Sequence, residues 1–145
     1  MKSAKLTKIL FLALLATSAC LTEVVGAETE SLNNGEPVIT TTQEGDGKTF
    51  PTKGQTVEAH YRGYFPGQEE NEFDSSYKRN QPFSFKIGVG QVIRCWDYAI
   101  AKLSVGQKAT VLCPSDWAYG ERGAGSIIPG NQDLMFDIEL LGTRD

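Results

Sequence analysis

The sequence predicts an α+β domain, on three observations. Apolar side chains alternate with polar ones in several short runs, at residues 56–64, 83–87 and 133–141. That is the period of half-buried strands. One stretch alone, from Val92 to Leu103, changes to helical spacing. Glycine- and proline-bearing turn signals separate the runs.

The elements follow in order. Residues 1–27 are read as a targeting segment outside the fold. Lys2, Lys5 and Lys8 precede the apolar run Ile9–Ala16, and Val25-Gly-Ala27 places small residues before a cleavage point. The run is too short for a membrane-spanning helix of about 20 apolar residues. A cleaved secretory signal is preferred over an N-terminal anchor. It is also preferred over a lipoprotein signal at Thr17-Ser-Ala-Cys20, where Thr17 replaces the expected aliphatic residue. Residues 28–37 form a polar, acidic leader, and residues 38–145 are the domain.

Val38–Thr42 is β-branched and ends at the turn Glu44-Gly-Asp-Gly47. In Thr56–Tyr64, Val57, Ala59 and Tyr61 alternate with Glu58, His60 and Arg62, a strand with one wet face. Pro66-Gly67 and the acidic loop Glu69–Glu72 follow. Phe73-Asp-Ser-Ser76 then leads through a polar loop to Pro82. Phe83, Phe85 and Ile87 share one face of the next strand. Gly88 and Gly90 break it, after which Val92, Trp96, Ala99, Ile100 and Leu103 fit one face of a short helix that stops at Val105-Gly106. Lys108–Cys113 is a strand closed by Pro114. Ser115–Gln132 is a long glycine-rich loop, and such loops usually have a function. In Asp133–Leu141, Leu134, Phe136, Ile138 and Leu140 point inward.

Composition excludes much. The chain carries 14 basic and 18 acidic side chains without a basic block, so nucleic acid and anionic membranes are poor partners. Cleavage after Ala27 removes three of the basic and one of the acidic residues, leaving the remainder more acidic still. His60 is the single histidine, too few for a His/Cys zinc site. No G-x-S-x-G elbow occurs. Gly120-Glu-Arg-Gly-Ala-Gly-Ser126 lacks the Gly-Lys-Ser/Thr of a phosphate loop, and Glu69–Glu72 lacks the spacing of an EF-hand. No metal or cofactor is expected. Cys95 and Cys113 are compatible with either a disulfide or two buried thiols, because pairing depends on separation in space. What remains is aromatic side chains and loops, which suits chemistry without covalent steps.

Six motifs in order carry a resemblance: Gln55-Thr-Val-Glu-Ala-His-Tyr-Arg-Gly63, Phe73-Asp-Ser-Ser76, Gly90-Gln-Val-Ile-Arg-Cys-Trp96, Asp116-Trp-Ala-Tyr-Gly120, Ile127-Ile-Pro129 and Leu134-Met-Phe-Asp-Ile-Glu-Leu-Leu141. Together, over residues 38–145, they resemble the FKBP-type peptidyl-prolyl isomerases, the immunophilins that bind tacrolimus and rapamycin. The resemblance implies a five-stranded antiparallel sheet curved around one short helix, with a pocket between them. It implies that Asp74, Tyr61, Trp96, Tyr119 and Phe136 act in catalysis and that Phe73, Phe83, Val92, Ile93 and Ile128 bind substrate. Trp96 is the implied floor, and the Ile93 N–H and Tyr119 hydroxyl are the implied donors. Arg79 and Tyr61 are the implied partners of Asp74, which could otherwise serve only as a local Asx-turn cap. Trp96 and Phe136 stand at positions that core residues also occupy.

Cys95 stands where relatives often carry a small residue. Trp117 stands where they often carry Tyr or Leu, and Gly123-Ala-Gly-Ser126 where cytosolic ones often carry a histidine and a proline. The implied partners are X-Pro segments of client polypeptides and macrolides of the tacrolimus or rapamycin type, met by a monomer. The implied location is the secretory pathway: ER lumen, secreted, or periplasm in a bacterium. A binding module with little catalysis, and a pocketless interaction domain, are the alternative readings.

Overall fold

A computed structural model describes residues 35–145. The signal segment read at 1–27 and most of the leader read at 28–37 lie outside the described residues. The elements are β1 (Val38–Gln43), β2 (Thr56–Tyr64), β3 (Glu72–Ser75), β4 (Phe83–Lys86), α1 (Arg94–Ala99), β5 (Lys108–Cys113) and β6 (Leu134–Arg144). Short 3₁₀ turns cover Tyr77–Arg79, Ile100–Lys102 and Ser115–Trp117.

The strands form one antiparallel sheet in the order β1-β5-β6-β2-β3, with β4 also on β2. The five expected positions are present, and the outermost is made of two pieces. β4 pairs with the first half of β2 (Thr56↔Lys86 to Ala59↔Phe83), and β3 with its second half (Arg62↔Ser75, Gly63↔Asp74). The interruption runs from Ser76 to Pro82. Ser76 leaves the edge and is fully buried, its Oγ accepting from the Tyr61 N–H of β2 at 2.8 Å. Register shifts at Glu58/Ala59 and Gly63/Tyr64 are bulges, which bend a strand and increase its twist.

Alternation decides what the sheet buries. Val57, Ala59 and Tyr61 of β2, Ala109, Val111 and Cys113 of β5, and Leu134, Phe136, Ile138 and Leu140 of β6 are all buried. The other face carries Asp137, whose carboxylate accepts from Arg62 Nε at 2.8 Å, Thr110 Oγ1 at 2.9 Å and Tyr64 Oη at 3.1 Å. His60 lies on that face too, stacked on Tyr77 at 4.5 Å and bonded to Ser76 Oγ.

α1 has six residues and no side-chain N-cap, so propensity alone would not hold it. Packing does: Cys95, Trp96, Ala99, Ile100 and Leu103 join the strand residues in a single core. Asp97 fixes its approach, accepting from the Gly88 N–H at 2.8 Å and the Gly90 N–H at 3.1 Å. Both glycines have φ near +78°: +77° at Gly88 and +78° at Gly90. That region is costly for residues with a Cβ. The turn from β4 into the helix therefore requires them.

A disulfide joins Cys95 of α1 to Cys113 of β5, with Cα atoms 5.7 Å apart. It resolves the choice that spacing left open. Both half-cystines are fully buried.

Candidate active site

Seven segments converge on one cavity of about 300 Å³ at the end of the helix. Its walls are Tyr61 from β2, Phe73 and Asp74 from β3, Phe83 from β4, Gln91, Val92 and Ile93 from the turn before α1, Trp96 from α1, Tyr119 from the long loop, and Phe136 from β6. Trp96 is 5 % exposed, so it serves as core and as cavity wall at once. Edge-to-face rings surround it, with Tyr61 at 4.9 Å, Phe136 at 5.2 Å and Phe83 at 6.0 Å between centroids. Such arrangements match the positive ring edge to the negative face.

The cavity also explains Gly63 on β2. A Cβ there would lie 2.7 Å from Phe73 Cζ and 2.8 Å from Phe136 Cε1. These rings cross at 83°, directly over the glycine, so any side chain would displace two walls.

Asp74 lies at the rim, on the strand that pairs with Gly63. Its Oδ2 accepts a short hydrogen bond from the Tyr61 hydroxyl. Its Oδ1 accepts from Arg79 Nη1 at 2.7 Å and from the Ser75 N–H at 2.8 Å. Arg79 Nη2 closes the triangle by donating to Tyr61 Oη at 2.9 Å. Partial burial pushes the Asp74 carboxyl up, but the Tyr61 and Arg79 hydrogen bonds outweigh it and hold the group below its ordinary value. Tyr61 is pushed up, by burial first and then by Asp74. Tyr119 is pushed up by the same two causes, so both phenols stay protonated donors at neutral pH. Asp74 and Arg79 keep 44 % and 48 % of their side-chain surface in solvent. The ion pair is therefore screened, and what the triangle supplies is chiefly orientation.

Three donors on cavity residues are unused. Among the described residues, no hydrogen bond involves the Ile93 N–H or the Tyr119 hydroxyl. The Ile93 carbonyl, by contrast, accepts from the Trp96 N–H at 2.9 Å. The Trp96 Nε1–H is buried without a partner.

Of the residues that the sequence pointed to, Tyr61, Phe73, Asp74, Phe83, Val92, Ile93, Trp96, Tyr119 and Phe136 line the cavity. Ile128 does not. Its N–H and carbonyl form a tight bridge with Ala124, and its side chain is buried in the core, while neighbouring Ile127 is 60 % exposed. Gln91 lines the cavity unforeseen; its Oε1 accepts from the Lys86 N–H at 2.8 Å. A polar residue beside Gly90 reads as ordinary turn chemistry, so nothing in the sequence marked it. Asp74 makes both the anticipated side-chain contacts and the local bond to the next residue.

Comparison with known proteins adds a family. Residues 47–141 match the profile of the FKBP-type peptidyl-prolyl cis-trans isomerase family. The chain is 52 % identical over 103 residues to FK506-binding protein 1 of Rhizopus delemar, covering 71 % of this chain and 94 % of that protein. It is 53 % identical over 97 residues to peptidyl-prolyl cis-trans isomerase Fkbp12 of Drosophila melanogaster, covering 67 % and 88 %. It is 52 % identical over 103 residues to peptidyl-prolyl cis-trans isomerase FKBP1A of Xenopus laevis, covering 71 % and 94 %.

Proposed function

The chain belongs to the FKBP-type peptidyl-prolyl cis-trans isomerases, and from that premise we propose that its aromatic cavity accelerates X-Pro rotation in client proteins of the secretory pathway. Rotation about a peptide bond meets a barrier of about 18–20 kcal/mol, because resonance stiffens the C–N bond. Uncatalysed X-Pro isomerisation therefore takes tens of seconds or more. The twisted amide loses that resonance and with it much of its charge separation. A dry aromatic cavity favours it over the planar amide, which water solvates better, so catalysis is differential binding without proton transfer.

The carrying observation is the ring cluster around Trp96, with one carboxylate pinned at the rim of the cavity. Trp96 is the floor for the proline ring, and Phe73, Phe83, Val92 and Phe136 are the walls. The Ile93 N–H and the Tyr119 hydroxyl donate to carbonyls on either side of the ring. Ionised Asp74, held by Tyr61 and Arg79, polarises the rim toward the twisted carbonyl. The same surface takes macrolides of the tacrolimus or rapamycin type.

Asp74→Asn tests the rim. The substitution keeps the shape and removes the charge, so kcat/KM for an X-Pro peptide is expected to fall about tenfold, near 1.4 kcal/mol in the barrier. Because Asp74 is held below its ordinary value, the wild-type profile should be flat across about pH 5 to 8. The stabilisation from its ionised form is complete above the unfolded value of about 3.9, and is lost as pH falls through the lower folded value. The Asn variant should lack that acid limb. Equal activity and equal tacrolimus affinity in the two proteins would exclude the role.

Location rests on two features. Lys2, Lys5, Lys8, the apolar run and Val25-Gly-Ala27 have the order of a cleaved signal. The Cys95–Cys113 bond suits an oxidising compartment. On this reading residues 28–37 are a leader and 38–145 the catalytic domain. Expressed from the full chain in a secreting host, the protein should leave the cytosol and begin at Glu28. A cytosolic product that keeps Met1 and carries reduced cysteines would overturn the assignment, and an acylated Cys20 would replace it with a lipoprotein.

A further inference from the structure

Three consecutive helix residues reach three different places. Trp96 forms the cavity floor, Cys95 is bonded to Cys113, and the Arg94 guanidinium lies 3.9 Å above the centre of the Trp117 ring. Tyr98, one turn on from Arg94, meets the same indole edge-on at 5.1 Å. Trp117 is thus clasped between two helix side chains. Two residues later in the loop comes Tyr119, the exposed lip of the cavity.

Beside that lip, Ala118 packs against the core. The hydrogen bonds around it close within the loop and its flanks: Trp117 N–H to Pro114 O at 2.9 Å, Ala118 N–H to Ser115 O at 3.0 Å, Gly120 N–H to Ser115 O at 2.8 Å, Gly123 N–H to Tyr119 O at 3.2 Å, Asn131 N–H to Gly120 O at 2.8 Å, and Ser115 N–H to Asp133 Oδ1 at 2.9 Å. These bonds shape the loop without tying it to the helix. Ile128 anchors its far end in the core. At the near end the ties to α1 are the disulfide and the Trp117 stack.

We infer that Arg94, Tyr98 and Trp117 are positioning residues that set the distance between the Tyr119 lip and the Trp96 floor. The inference rests on the reading of the cavity as the proline site. Indole is the best of the aromatic faces for a cation, and a planar guanidinium stacks on it with little freedom. A displacement of about 1 Å in such a positioned group can cost up to a hundredfold in rate. The clasp therefore acts on catalysis through Tyr119 while touching no substrate.

A double-mutant cycle tests this. Trp117→Ala is expected to lower kcat/KM for an X-Pro peptide about tenfold, mostly through KM, and Trp117→Phe to restore it to within about twofold. In a Tyr119→Phe background, Trp117→Ala should add less than about a further twofold, because the group it positions has lost its donor. Trp96 and Trp117 are the only tryptophans, so Trp96 is the sole indole in each Trp117 variant. Acrylamide should quench it more readily in the alanine protein than in the phenylalanine one. Full additivity with Tyr119→Phe, or alanine and phenylalanine variants alike in activity and quenching, would overturn the inference. Unchanged activity in both Tyr119→Phe and Trp96→Leu would instead remove the cavity reading beneath it.

Discussion

Replacing Trp96 with leucine is expected to lower kcat/KM for X-Pro peptides by one to two orders of magnitude in a protein that still folds, an increase of about 1.4–2.7 kcal/mol in the barrier. The indole is almost wholly buried and sits at the centre of four aromatic contacts, with Tyr61, Phe83, Phe85 and Phe136. Truncating a large buried aromatic to alanine typically costs about 3–5 kcal/mol, and leucine keeps enough volume to cost less. The diagnostic result is a loss of activity far larger than the loss of folded protein at the assay temperature. Activity should be read by NMR exchange or a protease-free fluorescent peptide, and folding by thermal melting. If activity fell only in proportion to the unfolded fraction, Trp96 would be core and nothing more.

The second large effect concerns stability. The Cys95–Cys113 bond closes a loop with a sequence separation of 18. On the chain-entropy account a cross-link over a loop of that size stabilises by about 3 kcal/mol. A Cys95→Ala/Cys113→Ala protein should therefore melt roughly 10–15 °C below the wild type. Because both half-cystines are fully buried, reductant should reach the bond only when the native structure opens. Wild-type protein should keep its melting temperature after brief exposure to dithiothreitol at 25 °C, and lose it after exposure in denaturant. Equal melting of the double variant and the oxidised wild type would show that the bond adds no stability.

Much of the architecture is legible in the residues because alternation reports burial directly. Val57, Ala59 and Tyr61 of β2 and Leu134, Phe136, Ile138 and Leu140 of β6 stand at every second position, and the sheet buries those same residues; β6 runs on to Arg144 without further alternation. β3 was not legible as a strand. Its four residues, Glu72–Ser75, are mostly polar and hold their place by pairing with β2 across a bulge, which no local pattern reveals. The disulfide was undetermined for a similar reason, since α1 and β5 meet only in the folded chain.

The site shows a different limit. Helical spacing put Trp96 on the buried face correctly, and the same spacing cannot say whether a cavity opens above that face. The family motifs supplied that part. They also carried Ile128 to the cavity, although its bridge to Ala124 turns the side chain into the core.

β6 lies between β5 and β2 although it is the last strand in chain order. During synthesis, every residue before Leu134 can leave the ribosome while the middle of the sheet is still missing. β2 and β5 then face an empty slot, and most of the inward side chains have nothing to close on. A nascent chain in that condition has no complete sheet to fold onto, and the sheet closes only once residues 134–144 have emerged. The order of the strands thus makes closure of the whole sheet wait on its last strand.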